Sequence, residues 1–529
     1  MLLNHISVRF INIPHKIILF VIGVTLVTIG IFSFLIPPAL FPDPANGFQV
    51  LRSMQTGSSF NVFTSPDQSD ISQNYSEYIT WWSPGQYLAP YFFQLFFNLN
   101  LGKAIAITIT LSEFSGLAGL YFFFKKIGFS SIIATSSLVL IICQLAFFIP
   151  HVYYNGGETL LFAFEGWFLY GCASLNKTDL KLILFIVLSG WIGFFFKSSF
   201  IWVYFCGLCC LWIRVASQQP GILKWIKKGL WIGLPAILSL LTIYLLFLSR
   251  GLNPATTSKG LILTPQTLGF PLASPVLSGF SIDDLCNGLI YHLGKPVFNN
   301  QWSIIILILL ALLSSILIYC IIYYVPKINY KVFILVFYCG SLIFFGSAYL
   351  FRLNISYEAR HFRIIGLLFT PGLIYLLARL KVVYQLFFVV LIIGIACCSI
   401  NYTIKGYQIN NSLTAKGVTG VSQPNIDQLS LDHILELDKK SRNATFVFVS
   451  NDIGLEVIHN RIITLQPIGN DLIINQDDYR YEGHAGPLYI LLPENYNGPK
   501  EKMILKAFPG YKGFNVSMLS DNYVLYSAQ

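Results

Sequence analysis

Charge is scarce in this chain. Only 11% of its 529 residues are Asp, Glu, Lys or Arg, where a soluble globular protein carries about 25%. Hydrophobic residues make up 55%, and the mean hydropathy is +0.65. So much apolar surface does not fit inside a water-soluble core, which excludes a soluble enzyme and predicts a polytopic α-helical membrane protein. Cysteine is nearly missing from the loops: of ten cysteines only Cys286 lies in a predicted loop, and none follows residue 400. No disulfide framework therefore holds the loops, and Cys209-Cys210 and Cys397-Cys398 lack zinc-site spacing. There is no P-loop or GxGxxG stretch, no internal repeat and no low-complexity segment. The net charge of +10 would point to nucleic acid in a soluble protein. Here the positive-inside rule accounts for it, and no nucleic-acid partner is expected.

What the chain has is long apolar runs. About twenty apolar residues span the hydrocarbon layer. That ruler predicts about eleven transmembrane helices, near 17–37, 103–124, 130–149, 158–175, 181–197, 200–213, 229–249, 302–325, 331–350, 364–378 and 382–400. The first is too long for a signal peptide and no small-residue cleavage site follows it, so it reads as an uncleaved span. With the N-terminus cytoplasmic, the inner loops are short and carry Lys125, Lys126, Lys177, Lys181, Arg214, Lys224, Lys227, Lys228, Lys327, Lys331, Arg379 and Lys381. The opposite loops are longer and hold nearly all the acids. This asymmetry places residues 38–102, 250–301, 351–363 and everything after about 400 outside a plasma (inner) membrane.

Residues 1–400, with the outer loops 38–102 and 250–301, are expected to form one transmembrane domain. Residues 401–529 read differently. Short apolar runs at 444–450, 461–466, 487–492, 515–519 and 523–528 alternate with helical stretches at 427–441 and 499–508, which predicts a small extracytoplasmic α/β domain.

Chemistry-bearing residues gather in the outer segments. FPDPANGF (41–48) carries Asp43, the first acid of the chain, between two prolines that restrict the backbone. It reads either as a solvated turn residue or as a reactive carboxylate near the bilayer, with a surface helix beginning after it at VLRSM. Trp82 and Tyr87, in YITWWSPGQYLAPYFF, are interfacial anchors or stacking faces for a sugar or isoprenoid. Glu158, in YYNGGETLL, caps a helix or acts on substrate. Glu165 lies two turns deeper on the same face, and Glu113 sits mid-span. Such acids are either functional or neutral hydrogen-bonding groups between helices. Lys197 snorkels to the interface or meets a lipid phosphate. Arg352, Arg360, His361 and Arg363 form a basic cluster on the side where the positive-inside rule disfavours it. Guanidinium forks there suit a phosphate or pyrophosphate, with Glu358 a partial internal partner. Asp283-Asp284 reads as a divalent-metal pair or as a helix start capped by Ser281.

The order of these parts resembles the GT-C superfamily of integral-membrane glycosyltransferases, in particular the bacterial branch similar to the protein mannosyltransferase and aminoarabinose transferase families. The matching stretches are the acid directly after the first helix (Asp43), the large loop with Trp82-Ser83-Pro84-Gly85, Gly156-Gly157-Glu158, the FFFKSS run ending in Lys197, and Glu358-x-Arg360-x-x-Arg363. The resemblance implies a polyprenyl-phosphate sugar donor, an acceptor that is a glycan, lipid or protein, and inverting transfer. By it an acid such as Asp43 in the first outer loop is a catalytic base or a metal-associated acid. In the mechanism read from these residues Asp43 accepts the acceptor proton, Glu158 orients the acceptor or a sugar hydroxyl, and Arg360 and Arg363, with Lys197 or Arg352, hold the donor phosphate, His361 standing in the same basic cluster. A divalent metal is a possible cofactor. Asp43 is followed by Pro44 instead of a second acid, which leaves it the sole candidate at its position. A transporter or lipid flippase, and a lipid-linked polysaccharide polymerase or ligase, are the competing classes.

Overall fold

The computed structural model describes residues 15–218, 221–251, 257–292, 295–465, 479 and 485–529. Its helices, in chain order, are α1 (His15–Leu35), α2 (Pro42–Gln55), α3 (Gly85–Phe97), α4 (Leu101–Lys126), α5 (Ser131–Cys143), α6 (Leu145–Val152), α7 (Gly157–Ser174), α8 (Leu180–Phe196), α9 (Phe200–Ala216), α10 (Ile222–Leu246), α11 (Pro265–Gly279), α12 (Ile282–Leu285), α13 (Asn300–Tyr324), α14 (Ile328–Leu350), α15 (Arg363–Leu377), α16 (Val382–Ser412), α17 (Gln428–Lys440) and α18 (Pro499–Lys506). Each of the eleven predicted spans coincides with helix. Among the described residues, six helices (α1, α4, α10, α13, α14 and α16) are long and apolar enough to cross a membrane. The count rises to seven if α5 and α6, bent by 51° at Gln144, form one span.

Packing divides the chain into two compact units. One holds the residues up to Ile29, Ile109–Pro150 and Gly157–Ile404. It is built almost wholly of helices around a continuous aliphatic and aromatic core. Within it α11 is an addition to the expectation of a plain loop at 250–301. Most of its residues are buried, Pro271 and Pro275 included, and it packs against α13, α14 and α15. Its 15 residues fall short of the ~20-residue ruler, and its prolines hide the helical pattern.

The second unit holds Gly30–Thr108, His151–Gly156 and Lys405–Gln529. In this unit the loop 38–102 packs with the C-terminal residues. The five expected strands form as β7 (Thr445–Phe448), β8 (Arg461–Thr464), β9 (Leu488–Pro493), β10 (Asn515–Met518) and β11 (Tyr523–Ala528). Residue 466 of the second predicted strand lies outside the described residues. They make one sheet in the order β10-β11-β9-β7-β8, parallel at β8/β7/β9 and antiparallel at β9/β11/β10. Four strands precede these in the chain order of the unit: β1 (Ala39–Leu40), β2 (Val62–Pro66), β3 (Asn74–Tyr78) and β4 (Tyr153–Tyr154). Two more, β5 (Ala415–Lys416) and β6 (Ser422–Gln423), form a small hairpin.

Candidate functional site

In the second unit FPDPANGF proves to be helix. Pro42 and Pro44 fall in the first turn of α2, where an amide N–H has no helical acceptor and proline is therefore tolerated. Asp43 lies exposed in that turn, on the end of the dipole that favours an anion. The surface helix thus starts at Pro42, several residues before the expected position. Two other acids of the loop, Asp67 and Asp70, have structural roles. Asp67 Oδ1 accepts from the Ser69 amide at 2.7 Å, and Asp70 Oδ1 accepts from the Ser72 amide at 3.0 Å. Both serve the turn between β2 and β3.

The two ends of α2 are held separately. At its start, β1 pairs in parallel with β4, and the Phe41 amide donates to the Tyr154 carbonyl at 3.1 Å. Gly156 crosses over this turn at φ +61, and a Cβ there would lie 2.7 Å from Gln86 Oε1 and 3.1 Å from Pro44 Cγ. Only glycine meets both the backbone angle and the space. Further along, three polar side chains fix α2 to the C-terminal sheet region. Asn46 Oδ1 accepts from Asn451 Nδ2 at 2.5 Å. Gln49 Nε2 donates to the Asn451 carbonyl at 2.7 Å and to Thr464 Oγ1 at 2.9 Å. Arg52 donates through Nε to the Val457 carbonyl at 2.7 Å and through Nη2 to the Asn460 carbonyl at 2.6 Å. Burial lowers the Arg52 guanidinium to about 10, with Asp438 opposing. Sequence reasoning missed this clamp, although Arg52 is the only basic residue between Lys16 and Lys103, which was a signal.

Tyr87 does not offer a stacking face. It is 0% exposed, and its hydroxyl donates to Asn61 Oδ1 at 2.5 Å. Trp82 is half-buried beside Trp81, with ring centroids 5.3 Å apart.

The first unit holds the charged residues. Lys197 caps the C-terminus of α8 and Glu158 lies in the first turn of α7, so each charge suits its own helix dipole. Gly157 permits the close approach of these two ends: a Cβ there would lie 2.9 Å from the Phe196 carbonyl oxygen. Lys197 Nζ donates to Glu158 Oε1, and Arg360 Nη1 reaches the same oxygen at 3.2 Å. Arg360 also pairs through Nε with Glu358. Arg363 Nη2 lies 3.7 Å from Asp284 Oδ2. The two arginines stand at the N-terminal end of α15, Arg360 in the 3-10 turn Ala359–Phe362 that leads into it. A cation is disfavoured at that end of a helix, so their charge adds to the dipole and raises the local positive potential.

Asp283 holds this turn in place. Its Oδ2 accepts from the Ala359 amide at 2.9 Å and its Oδ1 from the Leu289 amide at 2.8 Å. Burial pushes its carboxyl up to about 6, the two amides opposing; burial also raises Asp284, against the pull of Arg363. Ser281 does not act as the expected cap: its side chain accepts no bond from α12 and contacts Gln144 and Ala146. Among the described residues no group of three or more His, Cys, Asp or Glu side chains is placed to hold a metal ion.

Two of the expected phosphate ligands fall outside this arrangement. Arg352 is exposed at the end of α14, at φ +50, and makes no ion pair among the described residues. His361 stacks on Phe345 with centroids 5.9 Å apart. Burial and the neighbouring Arg360 and Lys197 hold its pKa well below the usual range, so it is neutral and adds no positive charge. Lys197, Arg360 and Arg363 are the cations brought together.

No protein-family model and no curated protein matches the chain. Among solved structures it is similar to the arabinofuranosyltransferase AftD from Mycobacteria, at TM-score 0.48 and 11% identity, over 95% of this chain and 39% of that one. It is also similar to the oligosaccharyltransferase of Archaeoglobus fulgidus in its apo form, at TM-score 0.46 and 10% identity, over 96% of this chain and 73% of that one. A third similarity is to the same organism's oligosaccharyltransferase AglB in complex with an inhibitory peptide and a dolichol-phosphate, at TM-score 0.45 and 11% identity, over 95% of this chain and 73% of that one. The chain spans about two fifths of the arabinofuranosyltransferase's length.

Proposed function

We propose that the chain is a membrane glycosyltransferase that moves a sugar from a polyprenyl-phosphate donor to a glycan, lipid or protein acceptor at the outer face of a plasma (inner) membrane. The observation that carries this reading is Arg360 and Arg363 at the N-terminal end of α15, with Lys197 tied to Arg360 through Glu158. Two forked donors at a helix N-terminus, with a lysine tied to one of them, suit a phosphate.

In the proposed reaction the acceptor oxygen attacks the anomeric carbon. The bond from that carbon to the phosphate oxygen breaks, and its electron pair leaves with the phosphate. Lys197, Arg360 and Arg363 stabilise the charge that develops there. The Asp43 carboxylate takes the acceptor proton. Its exposure in the first turn of α2, and the bracing of that helix, suit a positioned base. Arg352, Tyr87 and His361 have no part as charged or stacking ligands in this scheme.

The test is donor consumption by the full-length chain in proteoliposomes, with a radiolabelled polyprenyl-phosphate sugar. Arg360→Ala is expected to lower turnover about 10²–10³-fold, the usual effect of losing one charge-stabilising donor. Consumption of a pyrophosphate-linked oligosaccharide instead would favour a polymerase or ligase. Movement of the lipid-linked sugar with no bond change would favour a flippase.

A further inference from the structure

Glu158 has no task in the scheme above. Its Oε1 is shared by Lys197 and Arg360, and its side chain is only 18% exposed. The acids around it differ in how they are held. Asp283 is committed to two backbone amides. Glu358 pairs with Arg360 from the same short segment, two residues away. Asp284 faces Arg363 at 3.7 Å. Among these acids Glu158 is the one that places a single oxygen between two cations of separate elements. That is the bridging position a phosphate oxygen would take between an ammonium and a guanidinium.

The charge balance leads to the same point. Lys197, Arg360 and Arg363 pair with Glu158, Glu358 and Asp284. As it stands the cluster is already neutralised, so an incoming anion gains little unless one carboxylate gives up its cations. Separating a partly buried pair without replacement is costly. An exchange of carboxylate for phosphate keeps both cations paired throughout.

We infer that Glu158 is an internal stand-in for the phosphate group of the substrate: it holds Lys197 and Arg360 ready when the site is empty and is displaced from both when phosphate enters. The inference rests on the reading of those two cations as phosphate ligands. It makes Glu158 a positioning residue and a built-in competitor.

The test uses the purified full-length chain in detergent, titrated with inorganic phosphate and, separately, with farnesyl phosphate. Glu158→Gln keeps the shape and the hydrogen bonds but removes the competing charge, and it should bind farnesyl phosphate about tenfold more tightly than wild type. Glu358→Gln removes a neighbouring charge of the same sign and should change affinity less than Glu158→Gln does. The Glu158→Gln gain should vanish when combined with Lys197→Met. A gain with both probes supports displacement by a phosphate whatever carries it. A gain with farnesyl phosphate alone supports it for a lipid headgroup. Unchanged or weaker binding of both probes by Glu158→Gln overturns it, as does an equal gain from Glu358→Gln. Should Glu158→Gln fold poorly, Glu158→Asp keeps the charge but withdraws it by one methylene, and an intermediate gain is expected; no gain overturns the inference. Lys197→Met and Arg360→Ala proteins that bind both probes as wild type does would instead remove the underlying phosphate reading.

Discussion

Asp283 shows how much of the site depends on one carboxylate that never meets substrate. It joins the segment after α11 to the turn that carries Arg360, across 76 positions of sequence. Asp283→Asn turns one of its two acceptors into a donor facing a backbone amide, and should cost about 1–3 kcal/mol, measurable as a lower melting temperature in detergent. The pH dependence follows from its raised pKa. The folded carboxyl binds its proton more tightly, at about 6, than the ordinary 3.8. Its contribution to stability is therefore fully present below about pH 4 and is lost as pH rises through 6. Asp283→Asn should flatten that part of the stability profile, and an unchanged slope between pH 4 and 6 would contradict the assignment. At this scale residue type and loop charge singled out Glu158, Lys197, Arg360 and Arg363, and the structure joins Lys197 and Arg360 through Glu158 and sets Arg363 against Asp284. It did not show that Asp283 accepts from Ala359 or that Tyr87 is buried against Asn61, because both depend on contacts between distant segments.

The helix α2 behaves as a strut with two anchorages. Its start is braced by β1, β4 and Gly156, and its other end by Asn46, Gln49 and Arg52 on the C-terminal residues. Arg52→Met should leave the Val457 and Asn460 carbonyls without their donor and lower both the melting temperature and transfer. Arg52→Lys, which keeps the charge and one donor, should recover part of the transfer. Equal transfer by wild type and Arg52→Met would show that the clamp does not act on Asp43. Gly157→Ala should push α7 away from the Phe196 carbonyl at the Lys197–Glu158 contact, at about 1–3 kcal/mol, seen in melting and in weaker phosphate binding together. Long apolar runs made the major helices readable, and β-branched and aromatic runs did the same for β7, β8, β9 and β11. The start of α2 and the whole of α11 were not readable. Prolines in first turns and in short buried helices look like breakers until the surrounding packing is known.

Across the whole molecule, six helices are long and apolar enough to span a membrane among the described residues, and the orientation proposed for them rests on loop charge. A reporter fused after Gln529 distinguishes the two sides: an alkaline phosphatase fusion should be active and a green fluorescent protein fusion dark, and the reverse pattern would contradict the proposed outer working face. The division into two units was not legible, because the hydrogen bonds that join residues 46–72 to residues 451–464 connect parts some 400 positions apart. The most direct measurement is transfer of labelled sugar from a polyprenyl-phosphate donor by the full-length chain in proteoliposomes, compared between wild type and Asp43→Asn at equal abundance and melting temperature. The account predicts transfer by the wild type and a loss of about 10²–10⁴-fold in the variant, the range for a general base. Equal transfer by both proteins, or a wild type that leaves every polyprenyl-phosphate sugar intact, would contradict it.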